Sequence, residues 1–214
     1  MRKILGLALG VAVLAGAPAL AGDGSAAHTH MGHVMTGWND TPDKAGLLPT
    51  AIAEAMIADK HAGLAVAKLV DLEYMQTHTL HVLHALDPTA IASGPGLGYG
   101  VLKATTGAAK HIGFAAGGDG ASDAVKLHAT HVAASANNTV DRVGLILIEI
   151  KQVGAAKTAL QANHHVVKIR ELAAQLLEGY DADGNGKVSW KTGEGGLSTA
   201  EQHMGFMLKA EGMM

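Results

Sequence analysis

The stretch Ser122-Asp-Ala-Val125-Lys-Leu-His128-Ala-Thr-His131-Val132, continued through Ala136, Val143, Ile146, Ile150 and Val153, decides the fold class. Its apolar residues return at steps of three, four or seven, the period of one face of an α-helix, and Ser122 stands where a helix N-cap belongs. Gly154 marks the expected end. The same period runs through Ile52, Met56, Gly63, Val70, Tyr74, Thr77 and His81, which predicts a helix from about residue 49 to residue 86, bent near Gly63 and stopped by Asp87-Pro88. A shorter helix is expected from Val101 to Ala116, carrying His111 and Ile112. Another, from Lys157 to Tyr180, carries His165, Ile169, Leu172, Ala173 and Leu176 on one face. Runs of alternating β-branched residues are scarce. The expected fold is therefore all-α, an antiparallel four-helix-bundle-like core over residues 46–180.

Composition narrows the chemistry. The chain has 214 residues, no Cys, 13 His and 9 Met, and aromatic residues make up only 3%. Absence of Cys excludes covalent haem, iron–sulfur clusters and thiolate zinc, so a soft-metal site must draw on His or Met. Residues 1–21 read as a signal peptide: Met1-Arg2-Lys3, an apolar run from Ile4 to Ala17, then the small-x-small triplet Ala19-Leu20-Ala21. Its removal leaves 14 basic residues against 19 acidic ones. The expected product is periplasmic or secreted, acidic, free of the membrane after cleavage and without the basic patches that nucleic acid requires. Residues 22–45, rich in Gly, Ser, Asp and Pro, read as a flexible arm that contains His28-Thr-His30-Met31-Gly-His33-Val-Met35.

The C-terminal segment, residues 181–214, carries Asp181-Ala-Asp183-Gly-Asn185-Gly186-Lys187-Val188-Ser189. It resembles an EF-hand calcium loop. The resemblance implies side-chain oxygens from Asp181, Asp183 and Asn185, the main-chain carbonyl of Lys187, and Ser189 directly or through water. Thr192 stands where the family has a bidentate Glu, and Glu194 is the expected substitute. Ser198-Thr-Ala-Glu201 has the form of a capping box and predicts a last helix from Thr199 to about Ala210. Calcium is thus one expected ligand.

The histidines suggest others. His78-Thr-Leu-His81-Val82 and His128-Ala-Thr-His131-Val132 repeat an i, i+3 pair, with His111 on the helix between them. At ~1.5 Å per residue, His78, His111, His128 and His131 come to similar heights in an up-and-down bundle. A His-only copper or zinc site, or a non-covalent haem, fits this pattern, and so do ordinary histidines on Ala-rich helices. Glu-x-x-His and His-Glu-x-x-His are both absent, which leaves di-iron and zinc-protease centres unsupported. The arm motif from His28 to Met35, and His203-Met204-Gly-Phe-Met207 with Met213 and Met214, mix imidazole and thioether in a way that suits copper. The Gly-rich run Ser93–Gly100 lacks the Gly-Lys-Ser/Thr ending of a phosphate loop. No nucleophile constellation points to an enzyme. The expected function is a calcium-binding or sensing module, alternatively a copper, zinc or haem carrier with structural calcium. A metal ion is the partner, and the sequence leaves homo-oligomerisation open.

Overall fold

The structure, a computed structural model, describes residues 24–214; the expected signal peptide lies outside the described residues. Among the described residues seven α-helices follow one another: α1 Ala26–Met35, α2 Leu47–Val66, α3 Leu72–Leu86, α4 Val101–Gly117, α5 Asp123–Ala155, α6 Ala159–Glu178 and α7 Leu197–Ala210. No β-strand occurs among the described residues, and the all-α bundle that the periodicity predicts is what forms. The 33-residue α5 is the axis, with α3, α4, α6 and α7 packed on it. Ser122 caps it as expected, its side chain accepting from Val125 N.

Much of the interior is alanine. Ala51, Ala55, Ala58, Ala62 and Ala65 line the inner face of α2 with no solvent exposure, which lets α3, α4 and α6 approach closely. The larger buried side chains, among them Met31, Leu47, Met75, Leu86, Ile112, Ile146, Ile169, Leu176 and Met204, each supply about 1.5–3 kcal/mol.

Three expectations are corrected. Residues 26–35, expected within a flexible arm, are helix α1, with Ala27, Met31 and Val34 fully buried and Ser25 capping it through His28 N. Ten residues do not make a stable helix alone; α1 is held by its packing on α4. The expected helix over residues 49–86 is two antiparallel neighbours. The break falls after Val66 rather than at Gly63, because Asp71 caps α3 by accepting from Tyr74 N. Finally, α7 begins at Leu197 with Gly196 as its N-cap, so Ser198 lies inside the helix and forms no capping box. The capping box that does form is Thr158 with Gln161, at the start of α6.

Two buried charges fasten the connectors. Glu54, on α2 and wholly buried, accepts hydrogen bonds from Leu97 N, Tyr99 N and Gly100 N at 2.9–3.0 Å. The donors of the Gly-rich run are thus turned onto an internal carboxylate, not onto a phosphate. Gly100 sits at φ +86°, and a Cβ there would lie 2.6 Å from Pro88 Cδ. Arg142, on α5, donates to the carbonyls of Gly193, Glu194 and Gly195 at 2.6–2.8 Å and so ties the loop before α7 to the axis.

Candidate metal centres

In His33-Val34, His81-Val82 and His131-Val132 the valine is fully buried, so the histidine before it lies about 100° round the helix, on the shoulder between core and solvent. The first histidine of each pair, three residues earlier, shares that shoulder. His61, His111 and His203 stand in the same relation to buried Ala62, Ile112 and Met204. Where two such shoulders face each other across a helix–helix groove, three imidazoles meet.

This happens three times. His30 and His33 of α1 meet His111 of α4, with Nδ1–Nδ1 separations of 3.0 and 3.3 Å to His111. His78 and His81 of α3 meet His61 of α2 at 3.1 and 3.2 Å. His128 and His131 of α5 meet His203 of α7 at 3.1 and 3.3 Å. All nine rings are half-buried.

Hydrogen bonding does not account for the arrangement. The central Nδ1 carries either one proton or one lone pair and satisfies one neighbour, leaving the other facing it unpaired. A cation that takes all three lone pairs satisfies every ring. With metal–nitrogen bonds of about 2.0 Å, tetrahedral directions place the nitrogens about 3.3 Å apart, close to the spacing from the single histidine to each member of its pair.

The electrostatics favour the neutral, ligating form. Burial, then repulsion from His81 and His78, lowers the His61 pKa to about 4. Burial, then His131 and His128, lowers that of His203 to about 4. Burial is also the first cause of the lowered values of His33, His78, His111 and His131. Neutral imidazole is the form a metal needs.

Aromatic rings wall the triads unequally. Trp38 lies 4.8 Å from His33 and 4.6 Å from His111, centroid to centroid, and Phe114 lies 5.2 Å from His30. Trp190 stacks on His131 at 4.1 Å, and Phe206 lies 5.5 Å from His128. The triad on α2 and α3 has only Tyr74, 4.5 Å from His78. Trp38 is placed by the turn after α1, where its N–H donates to Ala45 O at 3.1 Å. Trp190 is placed by Asn138, two turns along α5 from His131, which binds Lys191 O and Gly193 N at 2.8 Å each.

His78, His81, His111, His128 and His131 all belong to triads, but His78, His111, His128 and His131 do not converge on one centre; they fall in three. His61 carries no signal in the periodicity, and His30 and His33 fall in the segment expected to be a flexible arm. A signal for the missing third ligand exists: His61-Ala-Gly-Leu64, His111-Ile-Gly-Phe114 and His203-Met-Gly-Phe206 share the form His-x-Gly-apolar. In chain order this motif alternates three times with His-x-x-His-Val. The first two rounds exchange partners, since the α1 pair takes its third ligand from α4 and the α3 pair takes its from α2.

Each remaining histidine has a neighbour: His28 Nε2 lies 2.8 Å from Glu211 Oε2, His84 Nδ1 accepts from Gly96 N, and His164 and His165 lie by Glu149.

The calcium-like loop is folded around its own carboxylates. Asp181 accepts from Asn185 N and Gly186 N at 3.0 and 2.7 Å, Asp183 from Asn185 N at 3.2 Å, and Asn185 Oδ1 from Lys187 N at 3.0 Å. Lys191 Nζ pairs with Asp183 at 3.2 Å. Glu194, buried, accepts from Ser189 N and Ser189 Oγ at 2.8 and 2.6 Å, so it reaches the ninth loop position while Asp181 is half-buried and Asp183 exposed. No helix among the described residues is long and apolar enough to cross a membrane. Comparisons of the chain with protein-family models, with curated proteins and with solved structures find no match.

Proposed function

We propose that this chain is an exported transition-metal carrier that takes one copper or zinc ion in each of its three histidine triads. The observation that carries the reading is the threefold recurrence of one arrangement: an i, i+3 pair and a single histidine from a neighbouring helix, whose Nδ1 lies 3.0–3.3 Å from the Nδ1 of each member of the pair. Imidazole-only ligand sets suit copper and zinc. Haem is disfavoured, because nitrogens this close leave no room for a macrocycle between two axial ligands.

A carrier accounts for the outward-facing nitrogens of these rings better than a structural or catalytic zinc protein does. Histidines in fixed zinc sites usually donate their other ring N–H to a carboxylate or carbonyl, which orients the ring and strengthens the ligand. Among the described residues, no triad Nε2 has a protein hydrogen-bond partner. Ligands left unanchored in this way suit ions that exchange.

The test is metal content after loading with copper(I) or zinc and desalting. His61→Ala, His111→Ala and His203→Ala are each expected to remove one equivalent from the parent's total, and the triple variant three. An unchanged total in the triple variant would overturn the reading. A structural calcium ion in the loop from Asp181 to Ser189 is a second, compatible reading, favoured by the folding of Asn185 N and Gly186 N onto Asp181, which pre-forms the turn.

A further inference from the structure

The hairpin of α5 and α6 holds a fourth cluster that differs from the triads in one ligand. His165 Nδ1 lies 2.6 Å from Glu149 Oε2, and His164 and His165 have ring centroids 4.0 Å apart. One ligand atom from each of Glu149, His164 and His165 falls within 4.8 Å of the others. His165 occupies the same shoulder as the triad histidines, since it too precedes a fully buried valine, Val166. Across the groove, where the triads present an imidazole, α5 presents Glu149.

A His–Glu ion pair alone explains part of this. It requires one histidine and one carboxylate, and it gives no role to the second imidazole beside the first. Two imidazoles and a carboxylate form a familiar zinc ligand set, and the carboxylate offsets one unit of the charge of a divalent ion. The three triads contain no carboxylate. We propose that Glu149, His164 and His165 form a separate site for a divalent cation of the zinc type. It fills independently of the triads.

Zinc binding to the full chain tests this in the His61→Ala/His111→Ala/His203→Ala background. One zinc equivalent is expected to remain there, and adding Glu149→Gln is expected to abolish it. His164 is exposed, so His164→Ala leaves the core intact; it is expected to weaken this zinc by at least about tenfold, 1.4 kcal/mol. Retention of the equivalent after both Glu149→Gln and His164→Ala, or no zinc in the triple variant, would show an ion pair only and overturn the proposal. If the triads are not metal sites, the parent itself binds one zinc that Glu149→Gln removes, so the two readings fail separately.

Discussion

Trp190 lies flat on His131, the ring centroids 4.1 Å apart and the planes inclined by 16°. The other tryptophan, Trp38, packs on His33 and His111. The chain has only these two, so its tryptophan fluorescence reports two triads and leaves the third silent.

Copper titration is therefore expected to quench tryptophan emission in two components. Trp190→Phe removes the component that His203→Ala also removes, and Trp38→Phe the one lost with His111→Ala. His61→Ala leaves the quenching unchanged while lowering the bound copper by one equivalent. Quenching that survives His111→Ala and His203→Ala together would mean copper binds elsewhere.

The metal-free protein is expected to lose stability in acid. His61 and His203 have folded pKa values of about 4, below the unfolded value of 6.5, so the unfolded chain binds more protons between these limits. Their contribution is present above pH 6.5 and declines as the pH falls towards 4. Melting temperatures measured across this range in chelator should drop, and should drop less in His61→Ala/His203→Ala. Bound metal is released over the same range or lower, as protons compete for the ring nitrogens.

Calcium is expected to raise the melting temperature at millimolar concentration, and Asp181→Ala to abolish the rise. Glu194→Gln separates two roles for the buried carboxylate. If Glu194 completes the calcium site, the variant loses the calcium response. If it only holds Ser189 N and Oγ, the response persists on a lower baseline. No rise in the parent would refute the loop as a calcium site.

Glu54→Ala is expected to cost about 3 kcal/mol, because three N–H groups, those of Tyr99 and Gly100 buried, lose their acceptor together. In a domain of this size that corresponds to a fall of roughly 6–12 °C in melting temperature. Metal content of the triads is expected to stay at the parental value, since Glu54 touches none of the nine histidines.

The bundle was legible because α5 states its own rules: a serine cap, a recurring apolar stripe and a glycine near its end. α1 was not, since three histidines in ten residues hide a stripe of only Ala27, Met31 and Val34, and the helix depends on α4 to form. Within each triad the i, i+3 pair is a local pattern and can be read from the sequence. The third ligand is not local. His61 is one histidine on an Ala-rich face, and nothing within a turn of it shows that α3 will bring His78 and His81 alongside. For the calcium-like loop, Asp181, Asp183 and Asn185 could be named from spacing, whereas the burial of Glu194 against Ser189 depends on Arg142 holding the following carbonyls.

The exchange of ligands between the first four helices makes the first two triads concentric staples. An ion between His61 and His78 closes 17 residues of chain, and one between His33 and His111 closes 78 residues around them. In an unfolded chain the larger closure costs about 1.4 kcal/mol more. The inner staple shortens the outer span when it closes first. On the proposed function, metal arriving before the chain has folded would thus assemble this half of the molecule from the middle outwards.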